Sequence, residues 1–232
     1  MNIAIIPARG GSKRIPRKNI KYFCGKPIIV WSIETASASN CFDKIIVSTD
    51  DDEIAAISRN SGAEVPFSRP ANLSGDYSDT ISVIRHAIRW IEKHNLKPEY
   101  VCCIYPTAPF MLVKDLKAGL QKIIKLQKNF VFTATTYAFP IQRAFKINQN
   151  DKVEMFNPEN FTTRSQDLES AFHDAGQFYW GRANAWLKCE SIFTSESSPL
   201  ILPRYRVLDI DTKEDWAQAE MQFKALRLLK NP

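Results

Sequence analysis

The chain has 232 residues, of which 44% are hydrophobic and 24% charged, and its formal net charge is +6. That composition is ordinary for a globular protein with a sizeable core and excludes disordered, collagen-like and disulfide-scaffold classes. No apolar run reaches the ~18 residues of a membrane-spanning helix, and the positive balance favours anionic partners: nucleotides, acidic sugars or nucleic acid.

The first element is a short apolar run, Ile3 to Ile6, bounded by Pro7 and Gly10, which reads as a buried strand. The N-terminus enters it directly, with no charged segment followed by a leader-like apolar one, so no signal peptide is expected. A Gly10-Gly11-Ser12 turn follows, where glycine lets backbone amides approach a ligand closely. Arg9, Lys13, Arg14, Arg17 and Lys18 then place five cations within ten residues. This loop leaves the carboxyl end of a first strand, the edge at which open α/β sheets bind ligands. It contains neither a Walker A loop nor G-x-G-x-x-G. Read alone, it is a receptor for a polyphosphate or a solvated basic turn.

The order strand, Arg, Gly-Gly-Ser, Lys/Arg, Pro, Lys-Asn carries more. The string A-R-G-G-S-K-R-I-P-R-K-N, residues 8 to 19, resembles the N-terminal signature of the sugar-acid cytidylyltransferases, the family of the CMP-sialic acid synthetases. The resemblance extends over nearly the whole chain and is nearest to the family's bacterial pseudaminic branch. It implies a single domain over residues 1–232 with a three-layer, Rossmann-like nucleotidyltransferase fold and a mostly parallel central sheet. It implies CTP and an acidic nine-carbon sugar as substrates, Mg²⁺ as cofactor, a homodimer and a cytoplasmic location. By the same resemblance Ala8, Arg9, Gly10, Gly11, Ser12, Lys13 and Asn19 hold the nucleotide, with Arg9 and Lys18 catalytic.

Pro27 to Ser39 reads as a helix with proline in its first turn. Lys44 to Thr49 is a β-branched strand. The acidic run Asp50 to Glu53 suits a helix N-terminus better than a metal site, and the helix runs on to Asn60. Glu64 to Arg69 is a short edge-like segment before a polar loop, Leu73-Ser74-Gly75-Asp76. In the resembled family this R-P…L-S/A-x-D element contacts the nucleotide, so Arg69 joins the nucleotide set. Ser78 to Asn95 is an amphipathic helix: Ile81, Ile84, Ile88 and Ile91 recur at spacings of three, four and three, with Ser78 or Asp79 as cap. His86 and His94 have no partner at ligand spacing and read as structural or solvated.

Tyr100 to Tyr105 is a central strand closed by the rigid Pro106-Thr107-Ala108-Pro109 loop. This stretch resembles the P-T-S-P element of sialic acid synthetases. Tyr105 stands where those enzymes carry glutamine, and Phe110-Met111 where they carry Leu-Arg. These departures favour the pseudaminic branch and make Tyr105 a sugar-side residue. Val113 to Gln127 is a helix with Leu116, Leu120, Ile123 and Ile124 as its stripe, and Phe130 to Thr136 a strand. From Tyr137 to Ala171 the chain turns polar, with a hairpin expected between Arg143–Ile147 and Lys152–Phe156. In the family the equivalent excursion reaches a second subunit, so residues 138–171 are the expected dimerisation element.

In Phe172 to Gly181, FHDAGQFYWG, residues Gly176 to Trp180 alternate as a strand. The family's counterpart, N-G-A-x-Y, lies near the acidic sugar, which makes His173, Gln177 and Tyr179 sugar-side candidates beside an equally open core-packing role. Asp209 and Asp211, two apart on an extended segment, share a face and offer hard oxygen ligands for Mg²⁺. D-I-D-T before an acidic helix start resembles the family's metal motif, which also makes Asp211 catalytic. Asp211 and a hydroxide on the metal both remain candidates for accepting the sugar's proton. Asp215 belongs to the first turn of a final helix that carries Trp216, Ala219, Phe223 and Leu226 on one face. Five cysteines without ligand spacing read as free thiols in a reducing compartment.

The resemblance implies transfer of CMP from CTP to the anomeric hydroxyl of pseudaminic acid. N-acetylneuraminic, legionaminic and Kdo acids remain alternatives, and a non-catalytic nucleotide- or RNA-binding module a remote one. No RNP1-type aromatic motif supports RNA binding. Flagellin or surface-glycan modification is the expected pathway.

Overall fold

A computed structural model describes residues 1–228. The strands are β1 Asn2–Pro7, β2 Tyr22–Phe23, β3 Lys26–Pro27, β4 Lys44–Ser48, β5 Tyr100–Ile104, β6 Phe130–Thr136, β7 Phe145–Ile147, β8 Val153–Met155, β9 Phe172–Arg182 and β10 Ser197–Ile201. The α-helices are α1 Ile28–Ser39, α2 Asp52–Asn60, α3 Thr80–Lys93, α4 Val113–Leu126, α5 Ala183–Leu187 and α6 Lys213–Leu228. Six strands form one sheet in the order β10-β6-β9-β5-β1-β4. β4, β1 and β5 run parallel to one another, as do β10 and β6, while β9 runs antiparallel between β5 and β6. The mostly parallel sheet expected from the sequence is present, with one reversed strand.

Alternation along the central strands divides the core into two layers. Ala4, Ile6, Val47, Cys102, Ile104, Phe178 and Trp180 face α1, α2 and α4. Ile3, Ile5, Ile46, Val101, Cys103 and Tyr179 face α3 and α5. Strands covered on both faces read as continuous apolar runs, which is why β1 and β5 were legible. A third, smaller cluster joins Ile15 of the basic loop, Phe23 of β2, Phe110 and Ile210 to Trp216, Ala219 and Phe223 of α6. It draws the N-terminal loop and the Asp209–Asp211 segment together, although they are almost the whole chain apart.

The expected helices form within one or two residues of their anticipated ends. Asp79 caps α3, its carboxylate accepting from the Ser82 amide at 2.8 Å. The hairpin β7–β8 pairs Phe145 with Met155 and Ile147 with Val153. It sits in an excursion between β6 and β9 that leaves Phe139, Phe145, Phe156 and Phe161 largely exposed. β9 is longer than its alternating half. Its pairing with β6 shifts between Phe132 and Ala134, and Gly176 takes a left-handed φ of +59° at that irregularity. In an irregular strand a left-handed residue is cheapest as glycine.

Candidate active site

A cleft of about 240 Å³ opens beyond the carboxyl ends of β1 and β5. The basic loop supplies Arg9, Ser12, Lys13, Arg14 and Lys18 to it, with Asn19 behind. The opposite wall is Ser78, Thr80 and Val83 at the N-terminus of α3, Tyr105 to Thr107 after β5, and Arg69. Asp211 comes from the segment before α6 and is the one carboxylate lining the cleft among the described residues.

The basic loop is held from behind by the acidic run. Arg17 takes a left-handed φ of 55°, a conformation that costs a non-glycine residue about 1–2 kcal/mol. Its guanidinium is clamped by Asp51 and Glu53 at the start of α2. That clamp holds the Asp51 carboxyl below the usual carboxylate range, chiefly through the Arg17 hydrogen bond. The Gly10 amide donates to Asp50 at 3.0 Å, and a Cβ on Gly10 would sit 2.7 Å from an Asp51 oxygen. Gly10 is thus demanded by close packing on the acidic run. The run caps a helix, as its composition suggested, and also braces the loop.

Asn19 is buried, and its side-chain amide donates to the Arg9 carbonyl at 2.9 Å. Arg9 donates to one oxygen of Asp76 at 2.7 Å, and Lys13 pairs with the other. Lys18 donates to the Ile210 carbonyl at 2.9 Å and to Asp211 at 3.1 Å, while Arg14 meets the second Asp211 oxygen at 2.8 Å. Arg69 is only 6% exposed, and its guanidinium donates to the hydroxyl and carbonyl of Ser48. Burial pulls its pKa down to about 10, with Asp50 opposing and Arg9 adding to the fall. Arg69 makes no salt bridge to a carboxylate among the described residues. It is a buried cation facing a cleft, an arrangement completed by an anion.

The Asp209–Asp211 segment is anchored at both ends. Arg206 forms a buried two-pronged pair with Asp115 at the start of α4. At the other end Asp215 accepts from the Asp211 amide at 3.0 Å and the Thr212 amide at 2.7 Å, while the Thr212 hydroxyl accepts from the Asp215 amide. This is a reciprocal cap on α6 and places Asp215 in the first turn, as expected. Partial desolvation pushes the Asp209 carboxyl upward despite its surface position, and the charge of Asp211 adds to the shift. A carboxylate whose charged form is disfavoured by a neighbouring carboxylate gains from a hard divalent cation placed between them.

The structure thus gathers Arg9, Ser12, Lys13, Lys18, Asn19, Arg69, Tyr105 and Asp211 around one cleft. Ala8, Gly10 and Gly11 support it from outside, Ala8 being fully buried. Gln177 is buried on β9 and donates to the Arg206 carbonyl at 2.6 Å, away from the cleft. His173 packs on Tyr137 at the root of the excursion, with ring centroids 4.8 Å apart. Tyr179 lies directly behind Tyr105, centroids 5.4 Å apart and rings tilted by 50°. Sequence reasoning missed Thr80 and Ser78 as cleft residues, and Asp76 as the partner of Arg9 and Lys13; Arg14 it counted only among the loop cations. The D-Y-S-D-T string of residues 76–80 was the available signal.

The profile of the family described as cytidylyltransferase matches residues 3–230. The chain belongs to the cytidylyltransferase family. Cytidylyltransferases are nucleotidyltransferases, and this chain is therefore an enzyme of that class. It is 48% identical, over 96% of both chains, to a pseudaminic acid cytidylyltransferase of Campylobacter jejuni. It is 30% identical, over 94% of both chains, to a CMP-N,N'-diacetyllegionaminic acid synthase of Legionella pneumophila. In three dimensions it superposes on a CMP:2-keto-3-deoxy-manno-octonic acid synthetase solved with CTP, with a TM-score of 0.68 at 15% identity, covering 97% of this chain and 99% of the other. That likeness establishes the Rossmann-like cytidylyltransferase fold.

Proposed function

We propose that this cytidylyltransferase transfers CMP from CTP to the anomeric hydroxyl of pseudaminic acid, releasing pyrophosphate. The observation that carries the chemistry is the cleft itself: loop cations and a buried arginine face one carboxylate at the carboxyl edge of the sheet. The choice of sugar rests on the relative that shares 48% of its residues.

The chemistry follows from charge. The anomeric oxygen attacks the α-phosphorus, and negative charge grows on the phosphoryl oxygens and the leaving pyrophosphate. Arg9, Lys13 and Lys18 bind the triphosphate and stabilise that charge, the Ser12 region orients it, and Arg69 and Asn19 hold the nucleotide side. Asp211, the cleft-lining carboxylate, takes the proton from the attacking hydroxyl. Asp209 and Asp211 would hold Mg²⁺, which when bound supplies charge neutralisation to the phosphates. Tyr105, Ser78 and Thr80 form the wall left for the sugar, with Tyr179 behind them.

The excursion over residues 138–171 is read as the surface for a second copy of the chain. It leaves four phenylalanines exposed, Phe139, Phe145, Phe156 and Phe161, a large apolar exposure for one excursion of a monomer. Among the described residues no helix is long and apolar enough to cross a membrane. Free cysteines and phosphorylated substrates fit a reducing cytoplasm. Flagellin glycosylation is the process we infer for the product.

Pyrophosphate release from CTP and Mg²⁺ across pseudaminic, N-acetylneuraminic, legionaminic and Kdo acids tests the reading. Release with pseudaminic acid at the highest kcat/KM is expected. A preference for another acid would keep the chemistry and overturn the sugar; no release with any acid would overturn both.

A further inference from the structure

Behind the cleft wall, Asp174 makes a contact that neither nucleotide binding nor the core requires. Tyr179 donates its hydroxyl proton to one oxygen of Asp174. The other oxygen accepts from the Gly176 amide at 3.0 Å. Asp174 has no cation in salt-bridge reach among the described residues. In a regular strand residues 174 and 179 would face opposite ways. The irregularity at Gly176 removes that parity. Tyr179 pairs with Phe132 and Asp174 with Ala134, positions two apart on β6 and therefore on one face. The strand distortion thus delivers a carboxylate to a phenol that itself packs against Tyr105.

Tyr105 is the cleft residue of this series. Its hydroxyl lies 3.4 Å from the Thr80 hydroxyl, and both residues line the cleft. Tyr179 has one hydroxyl proton, and it is committed to the hydrogen bond with Asp174. The Tyr179 oxygen then offers only lone pairs to its neighbours, which sets the polarity of the hydroxyl groups in front of it. Burial pushes both phenols up from their ordinary values, so they stay neutral beside an anionic substrate.

We propose that Asp174 is a positioning residue for sugar recognition: through Tyr179 it fixes the tilt and hydrogen-bonding direction of Tyr105, which presents its hydroxyl to a polar substituent of the acid sugar. The inference rests on the reading that Tyr105 forms the sugar wall. It assigns the aspartate and the strand distortion a specificity role, with no part in the proton transfer or in holding CTP.

The test is steady-state kinetics on Asp174→Asn and Tyr179→Phe, varying the sugar at saturating CTP and then CTP at saturating sugar, with Tyr105→Phe alongside. The expected result is a KM for pseudaminic acid raised about tenfold or more in all three, with the KM for CTP within about twofold of wild type. An unchanged sugar KM in Asp174→Asn and Tyr179→Phe, with Tyr105→Phe still impaired, overturns the role of Asp174 and leaves the sugar wall intact. An unchanged sugar KM in all three overturns the sugar wall as well. Parallel losses in kcat and both KM values with a lowered Tm would make Asp174 a purely structural residue. Should Asp174→Asn not fold, Tyr179→Phe decides, because it breaks the same contact by removing a single oxygen.

Discussion

Replacing Asp115 with alanine should destabilise this enzyme severely and loosen the segment that carries Asp209 and Asp211. Asp115 sits in the first turn of α4, and its carboxylate takes two N–H groups of Arg206; the two side chains are 8% and 9% exposed. Removing one partner of such a pair leaves an uncompensated buried charge, at a cost of about 3–5 kcal/mol. For a chain of this size each kcal/mol moves Tm by about 2–4 °C, so the shift should be roughly 6–20 °C downward. Arg206 also holds the start of the segment that ends in Asp209 and Asp211, its carbonyl accepting from Gln177 at 2.6 Å. Thermal unfolding by circular dichroism, with and without CTP, is the assay. The double variant Asp115→Leu with Arg206→Met should recover much of the loss, because a buried pair replaced by apolar groups is often neutral or better. A single variant within about 1 kcal/mol of wild type would refute the reasoning, as would a double variant less stable than the single.

Three further outcomes are expected. Arg9→Ala and Asp211→Ala should each reduce turnover at least a hundredfold or so, the usual scale for losing a charge-stabilising group; near-wild-type rates in both would remove the cleft from the mechanism. Asp76 shares Arg9 and Lys13 with any bound triphosphate, so Asp76→Asn should tighten CTP binding by isothermal titration calorimetry, and weaker binding would show that the carboxylate assists the nucleotide. His86 is held below its ordinary pKa by burial, then by the charges of Arg69 and Lys93. Its neutral form is therefore favoured in the fold while the unfolded chain takes up a proton below about pH 6.5. Stability should fall as pH drops from that value through the lower folded-state value, and His86→Gln should flatten this part of the profile in urea titrations.

Much of the fold was legible because periodicity and caps agreed. Ile81, Ile84, Ile88 and Ile91 announced α3, and Asp79 its start. The elements missed lacked such signals. β10 carries Pro199, which argues against a strand except at a sheet edge, and β10 is an edge strand bonded, among the described residues, to β6 alone. α5 has five residues, too few for a periodic pattern. The first half of β9 was hidden by Gly176, which reads as a turn and marks the irregularity instead. At the site, the basic loop and the D-x-D pair were visible as strings. Their meeting depends on Ile15 and Ile210 sharing the α6 cluster, which no local pattern encodes. The link from Asp174 to Tyr179 violates strand parity, so alternation predicted against it. Gln177 followed alternation and turned inward to Arg206.

The most direct measurement offers the purified enzyme CTP, Mg²⁺ and an equimolar mixture of pseudaminic, N-acetylneuraminic and legionaminic acids, then resolves the nucleotide products by anion exchange and mass spectrometry. CMP-pseudaminic acid as the dominant product, absent with Asp211→Ala, is the expected result. CTP that remains intact, or a mixture in which another CMP-sugar dominates, would contradict the account.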